Sequence, residues 1–192
     1  MSKTTRVLAF SGGARKDSPN RKLPGVAEKA ARAAGAAVTP LEPDDNTFPL
    51  YHGGLEATEG LPLKVARLVS PALKHHALLI ASPEYNPFMT PLPKNTLDWM
   101  SRPDEKPFAG KVAAVVSASP GAMGGSRSQV HAKQLLMQLD CPVVPANCTL
   151  LRAHEGFDTD GSLKDGRTQQ SLEALVAELI DNARKIGRVS RG

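Results

Sequence analysis

Apolar and polar positions alternate along the chain in a way that predicts strands and helices in turn. Short apolar runs occupy residues 7–10, 77–81 and 112–116, and the last two are apolar at every position, as in buried strands of a parallel sheet. Weaker runs at 37–41 and from Pro142 predict a peripheral strand and a final strand. The pattern therefore predicts five strands.

Segments with helical character follow these runs. The alanine-rich segment 25–34 favours helix by propensity, and apolar residues recur at three- and four-residue intervals between 172 and 186. Further helices are expected from Leu63, around 96–100 and over 125–139. Residues 42–62 hold many prolines and glycines and are expected to form a loop. This βα repetition predicts one α/β domain over residues 1–192, a doubly wound parallel five-stranded sheet of order 2-1-3-4-5 with helices on both faces.

Composition narrows the class of protein. The 192 residues include 41% hydrophobic and 22% charged positions, which suits one well-buried domain. The net charge of +5 favours anionic small molecules as much as nucleic acid, but scattered basic residues and only 4% aromatics argue against nucleic-acid binding. No apolar stretch approaches the roughly 20 residues of a membrane span, and the start lacks a secretory signal pattern. We expect a soluble, cytoplasmic protein with no membrane attachment.

Cysteines and histidines show no metal-binding pattern. Cys141 and Cys148 are separated by six residues, and neither belongs to a CxxC motif. We expect reduced thiols, with Cys141 as a small buried residue at a strand start, although a redox thiol remains the alternative. The adjacent His75 and His76 point to different faces of a helix and are expected at a solvated helix end.

The loop after the first strand combines the groups that bind a phosphate monoester. Residues 11–20 hold glycines, hydroxyls, an amide and Arg15 just before a predicted helix. Backbone N–H groups, a guanidinium and a helix N-terminus favour an anion. The loop matches neither the dinucleotide fingerprint nor the P-loop. An ordinary turn capped by Ser18 is the alternative.

Two further loops follow the third and fourth strands. The prolines of residues 82–91 stiffen a segment that would present Tyr85, Asn86 and its backbone to the edge of a flat heteroaromatic ring, unless it is only a rigid connector. Residues 117–127 include three glycines that permit close backbone approach to a planar ligand. Because these strands are neighbours in the predicted order, the three loops are expected to line one crevice.

These motifs resemble the NADPH-dependent FMN reductase family, which comprises flavodoxin-like quinone, chromate and azo-dye reductases. The resemblance covers about residues 6–139 and rests on Arg15-x-x-Ser18-x-Asn20, Pro83-Glu84-Tyr85-Asn86, Lys94-Asn95-x-x-Asp98-Trp99 and Ser119-Pro120-Gly121-x-x-Gly124-Gly125-x-Arg127. It implies a flavodoxin-like fold and non-covalently bound FMN, with the phosphate on Arg15, Ser18 and Asn20. The expected cofactor-binding residues are Ser11, Gly13, Arg15, Ser18, Asn20, Pro83, Glu84, Tyr85, Asn86, Ser117, Ser119, Pro120, Gly121 and Gly124.

The resemblance also implies the chemistry. Hydride from NADPH or NADH would pass through FMN N5 to a quinone, flavin, azo or nitro compound or metal oxyanion, without a catalytic side chain. A non-catalytic FMN electron carrier or redox-sensing module is the alternative, but such carriers tend to be acidic whereas this chain carries +5. A homodimer or homotetramer is implied, with residues 98–102 and 125–139 as interface candidates. Trp99 and Met100 are expected to pack against a neighbouring subunit or helix.

The sequence departs from the family pattern at three places. Gly13 stands where the family usually has serine, which would weaken FMN retention by about 1.5–3 kcal/mol if a hydroxyl contact is lost. Pro24-Gly25 falls where the family's first helix continues, and Pro87-Phe88 replaces small residues beside the Pro-Glu-Tyr-Asn motif. These departures are expected to alter the start of the helix and access to the ring.

Overall fold

A computed structural model describes residues 4–41 and 47–189 of the chain. Its strands are β1 (Thr5–Ser11), β2 (Ala36–Leu41), β3 (Ala77–Ala81), β4 (Glu84–Tyr85), β5 (Phe88–Met89), β6 (Val112–Ala118) and β7 (Cys148–Leu150). Five of them form one parallel sheet of order β2-β1-β3-β6-β7, while β4 and β5 pair as an antiparallel hairpin. The order predicted from the sequence is confirmed, because β6 and β7 are the fourth and fifth strands of that sheet.

Helices cover both faces of the sheet. They are α1 (Pro19–Ala33), α2 (Gly53–Glu59), α3 (Leu63–Lys74), α4 (Pro91–Met100), α5 (Ser126–Gln138) and α6 (Gly166–Val189). Alternate strand residues enter two separate cores, so that Leu79 packs with α1 and α6 whereas Leu78 and Ile80 pack with α3, α4 and α5. In the part of the chain that the structure describes, no helix is long and apolar enough to cross a membrane.

Two helices differ from the sequence predictions. Helix α1 begins at Pro19 instead of residue 25 and continues through the buried Pro24. A proline there removes one hydrogen bond near the helix start, and burial of the neighbouring Leu23 and Val26 on the sheet opposes that loss. Helix α2 lies within the expected loop, where the ring Nδ1 of His52 caps it by accepting a hydrogen bond from the Leu55 N–H. The prediction of an irregular 42–62 loop is therefore wrong over α2, and residues 42–46 lie outside the described residues.

The last strand of the sheet also lies later than predicted. Val143 makes a single bridge to Ala113, and the continuous ladder forms only at Cys148–Leu150. Pro142 and Pro145 lack the N–H that a ladder needs. The ammonium of Lys133 donates instead to the carbonyls of Pro145 and Ala146 and to Oδ1 of Asn147, at 2.7–2.9 Å.

Candidate active site

The loops that follow β1, β3 and β6 meet in one crevice at the carboxyl edge of the sheet. Its empty space is about 410 Å³ including the open mouth. The lining residues are Gly13, Ala14, Arg15, Ser18, Pro19, Asn20, Pro83, Glu84, Tyr85, Ala118, Ser119 and Pro120. Nine of the residues predicted from the sequence are among them, whereas Ser11, Asn86, Ser117, Gly121 and Gly124 are not.

The N-terminus of α1 forms the anion-attracting end of this crevice. Ser18 stands at the N-cap position, but its side chain makes no capping hydrogen bond, and the first turn of the helix holds no acidic residue. Arg15 is exposed, with Nε 3.7 Å from the carboxylate of Asp17, which is even more exposed. The helix N–H groups, the Ser18 hydroxyl and the Arg15 guanidinium are therefore placed to receive a phosphate.

Gly13 makes room for the Ser18 side chain. A Cβ atom added at Gly13 would lie 2.3 Å from Ser18 Oγ, closer than real atoms approach. The hydroxyl of Ser11 accepts a hydrogen bond from the Gly13 N–H at 3.0 Å and so shapes the turn. A serine at position 13, which the family usually has, would thus displace the Ser18 side chain in this chain. This steric conflict explains why glycine occupies the position.

Asn20 joins two of the crevice loops. Its amide donates from Nδ2 to the Ala118 carbonyl at 2.7 Å and accepts at Oδ1 from the Ala118 N–H at 2.9 Å. The side chain is buried, so these bonds connect the start of α1 to the end of β6 in a dry environment. Its motif position predicts a phosphate contact, and in the structure the residue lines the crevice and bonds to a residue 98 positions away in sequence.

Glu84 caps α5 from a different element. Gly125 precedes that helix with a φ of +83° and offers no side chain to cap it. The Glu84 carboxylate accepts hydrogen bonds from the N–H groups of Arg127 (3.0 Å) and Ser128 (3.2 Å), and pairs with the Arg127 guanidinium. Burial raises the pKa of Glu84, but the hydrogen bonds from Arg127 and Ser128 and the Arg127 charge outweigh it, so the pKa falls below its usual value.

The β4–β5 hairpin rests on α5 at a second point. The Phe88 ring stacks on the His131 ring, with the ring centroids 3.9 Å apart. Tyr85 lines the crevice and is 55% exposed, and Asn86 takes a φ of +46° at the hairpin turn, which asparagine tolerates better than most residues. The hairpin therefore presents Tyr85 to the crevice from a support on α5.

The glycine-rich loop after β6 packs closely against the end of β7. A Cβ at Gly124, whose φ is +57°, would lie 2.7 Å from Leu151 Cδ2. Ser117 Oγ donates to the Gly124 carbonyl at 2.8 Å and accepts from Gln129 Nε2 at 2.8 Å. Gly124 thus permits close packing on the end of β7, while Ala118, Ser119 and Pro120 line the crevice and the approach of this loop to a planar ligand stays a prediction.

Comparison with known proteins agrees with this geometry. A sequence model of the NADPH-dependent FMN reductase family matches residues 5–155. The chain belongs to this family. An NAD(P)H-dependent FMN reductase of Pseudomonas aeruginosa is 36% identical over 180 residues, 91% of this chain and 95% of that relative. A quinone reductase of Escherichia coli is 34% identical over 148 residues, 75% of this chain and 76% of that relative.

A solved structure extends the comparison to the fold. The flavoenzyme FerB of Paracoccus denitrificans, an NAD(P)H:(acceptor) oxidoreductase, superposes with a TM-score of 0.82 at 31% identity, covering 95% of this chain and 98% of FerB. The expectations of a flavodoxin-like fold and of an FMN-dependent NAD(P)H oxidoreductase are thereby confirmed. The uncapped α1 N-terminus beside Arg15 and Ser18 fits the phosphate of FMN.

The thiols of this family member are buried away from the crevice. Burial raises the pKa of Cys141 to about 12 and that of Cys148 to about 11, so both stay protonated at neutral pH. The prediction of Cys141 as a small buried residue is confirmed. Within residues 4–41 and 47–189 no group of three His, Cys, Asp or Glu side chains is arranged to hold a metal ion.

His75 is not the solvated helix end that the sequence predicted. The residue is buried at the C-terminus of α3, with Nε2 2.9 Å from Thr39 Oγ1 and Nδ1 at the Pro71 carbonyl. Burial lowers the pKa of His75, which keeps the ring neutral where it links α3 to β2. Its role is therefore structural, on the edge of the sheet opposite to the crevice.

Proposed function

We propose that this family member uses NADPH or NADH to reduce quinones through bound FMN, with free flavin, azo or nitro compounds and metal oxyanions as further acceptors. The observation that supports this proposal is the crevice, whose lining combines an uncapped helix N-terminus with the half-exposed Tyr85. The helix N-terminus suits the phosphate of FMN, and the Tyr85 ring suits a flat aromatic acceptor. The quinone reductase and FMN reductase relatives support this acceptor class.

The residues of the crevice bind and orient. Arg15, Ser18 and the first N–H groups of α1 hold the phosphate, while the backbones of residues 83–85 and 118–120 hold the ring system. When bound, FMN supplies hydride transfer between the nicotinamide and the acceptor. Asn20 and Glu84 keep the loops at fixed separations, because their polar atoms bond to Ala118, Arg127 and Ser128.

Steady-state kinetics test this assignment. With NADPH at saturation, we expect a simple benzoquinone to give a higher kcat/KM than an azo dye or chromate. We expect parallel lines in double-reciprocal plots, since nicotinamide and acceptor use the same open crevice in turn. Rapid reduction of chromate with no reduction of benzoquinone would reassign the acceptor class.

We also propose a homodimer that can pair into a homotetramer, in the cytoplasm and with small molecules as partners. On α5, Val130 and Met137 are 63% and 55% exposed and lie seven residues apart on one face. Exposed apolar side chains of this size support an interface there. Trp99 and Met100 are buried within the chain itself, where Trp99 Nε1 donates to the Pro49 carbonyl at 2.8 Å, so α5 is the stronger of the two interface candidates. Light scattering of wild type and of Val130→Glu tests this, with a loss of mass expected for the variant.

A further inference from the structure

A second cavity, with about 840 Å³ of empty space including its open mouth, lies beside the crevice at the carboxyl end of β7. It is lined by Ala122, Leu150, Leu151, Arg152, Glu155, Gly156, Lys164, Asp165 and Thr168. Pro120 lines the crevice and Ala122 lines the cavity, so one short loop borders both. Two residues of chain span at most about 7 Å, which makes the two spaces immediate neighbours.

Hydrogen bonds fix the separation between cavity and crevice. The Ser119 N–H donates to the Leu150 carbonyl at 3.1 Å, and the Ala153 N–H donates to the Ser119 carbonyl at 3.0 Å. The segment that carries the cavity wall is thereby joined to the residue that forms the crevice wall. The crevice and the cavity therefore lie at a fixed distance from each other. A single extended ligand could occupy both, and the rigid arrangement lowers the entropic cost of binding it.

Two cations of the cavity lining, Arg152 and Lys164, are placed to meet an anion. Among the residues that the structure describes, neither the Arg152 guanidinium nor the Lys164 ammonium has a carboxylate partner within 4.0 Å. The two carboxylates of the lining keep their charge but bond to other groups: Glu155 to His154 Nε2 at 3.0 Å, and Asp165 to the Thr168 N–H at 3.0 Å and the Thr168 hydroxyl.

The walls between these charges are apolar. Leu150 is buried and Leu151 is 48% exposed on the cavity side of the loop. Apolar walls with a few convergent polar groups and a volume of roughly 300–1,000 Å³ are typical of small-molecule sites. A flat apolar body that carries phosphate groups matches this combination.

We propose that this cavity binds the phosphorylated adenosine end of NADPH. Arg152 and Lys164 contact its phosphates, the 2′-phosphate included, and Leu151 packs on the adenine, while the nicotinamide end reaches the neighbouring crevice. The inference rests on the proposed function, since it assigns a place to the nucleotide that the enzyme uses. It predicts a preference for NADPH over NADH, because only NADPH carries the 2′-phosphate.

Calorimetric titration of the FMN-loaded protein with 2′,5′-ADP and with 5′-AMP tests the site without turnover. We expect 2′,5′-ADP to bind at least tenfold more tightly than 5′-AMP. Arg152→Gln and Lys164→Gln each weaken 2′,5′-ADP binding by roughly 10- to 100-fold, the effect of one lost charged hydrogen bond. Glu155→Gln, which removes a negative charge from the lining, tightens binding.

Arg67→Gln is the matched control, since Arg67 is an exposed cation on α3 outside the cavity lining. It should leave the affinity for 2′,5′-ADP unchanged. In steady state, Arg152→Gln should raise the KM for NADPH with kcat retained, and change the KM for NADH much less. Circular dichroism of each variant confirms that it is folded.

The inference and the proposed function fail in different ways. If NADPH reduces the flavin but 2′,5′-ADP does not bind, or binds equally to Arg152→Gln, Lys164→Gln and wild type, the inference is overturned and the reductase assignment stands. If neither nucleotide reduces the flavin, both are overturned.

Discussion

Glu84 and Arg127 form an ion pair that joins the β4–β5 hairpin to the first turn of α5. The Glu84 side chain is only 8% exposed and also accepts hydrogen bonds from the N–H groups of Arg127 and Ser128. One carboxylate therefore caps a helix and holds the hairpin that presents Tyr85 to the crevice. The position of this part of the site depends on a contact between residues 43 apart in sequence.

Two substitutions of Glu84 should separate the contribution of its negative charge to stability from that of its hydrogen-bond acceptors. Glu84→Ala leaves the α5 N–H groups without their cap and should lower the free energy of unfolding by about 1.5–3 kcal/mol, whereas Glu84→Gln should lose less because it keeps an acceptor. Urea denaturation of the flavin-free protein measures both. Equal losses for the two variants would show that the carboxylate charge contributes nothing.

The same ion pair should make the free energy of unfolding depend on pH, in the direction set by the lowered pKa of Glu84. The pKa of Glu84 is lower in the folded protein than in the unfolded chain, so its contribution to stability is present above the unfolded value, about 4.3. It is lost as the pH falls through the folded value. The difference in unfolding free energy between wild type and Glu84→Gln should be constant above roughly pH 6 and should shrink in acid. A difference that grows in acid would contradict the assignment.

Substitution of Arg15 should weaken the binding of FMN but not that of riboflavin. Arg15→Gln removes a guanidinium next to the phosphate end of the crevice and should weaken FMN binding by roughly tenfold or more, while riboflavin, which has no phosphate, should bind with unchanged affinity. Quenching of flavin fluorescence measures both dissociation constants. Lys16→Gln is the control, since this neighbouring cation does not line the crevice. An equal loss for FMN and riboflavin would contradict the phosphate assignment.

Asn20 should matter for both stability and flavin affinity. Asn20→Ala leaves the N–H and carbonyl of Ala118 without their partner, at an expected cost of about 1–3 kcal/mol in unfolding free energy. FMN affinity should fall as well, because the two loops lose their connection. Gln170→Ala, at an exposed position of α6, should change neither quantity. Unchanged stability of Asn20→Ala would show that these hydrogen bonds are dispensable.

Lys133 should support the segment before β7. Lys133→Met removes the donor for the carbonyls of Pro145 and Ala146. We expect faster amide hydrogen exchange of residues 143–149, as the segment and the start of β7 lose their anchor. Lys185→Met, at an exposed position on α6, is the control and should leave that exchange unchanged. Equal exchange in Lys133→Met and wild type would contradict the role of Lys133.

The sequence predicts the parts of this fold that depend on local pattern. The runs 77–81 and 112–116 are apolar throughout, so their place in the centre of the sheet follows from burial alone. The three loops follow from the strand order. The position of β7 does not follow from local pattern, because the segment before it is held by Lys133 of α5. Its ammonium donates hydrogen bonds to the carbonyls of Pro145 and Ala146.

The site shows the same division between local and distant information. The motif predicts that Arg15 and Ser18 line the crevice, and both do. It does not reveal that Ser117 and Gly124 bond to each other, or that Asn20 and Glu84 connect separate loops. The contacts of Asn20 and Glu84 join residues far apart in sequence, and no periodicity or spacing records them.

The visible spectrum of the purified protein, followed anaerobically as NADPH or NADH is added and then a quinone, tests the central claim most directly. We expect the protein to show a flavin spectrum, either on purification or after addition of FMN. A nicotinamide nucleotide should bleach this spectrum, and the quinone should restore it. A flavin spectrum that neither nucleotide bleaches would instead indicate an electron carrier or redox-sensing module. A protein that takes up no FMN would contradict the crevice assignment itself.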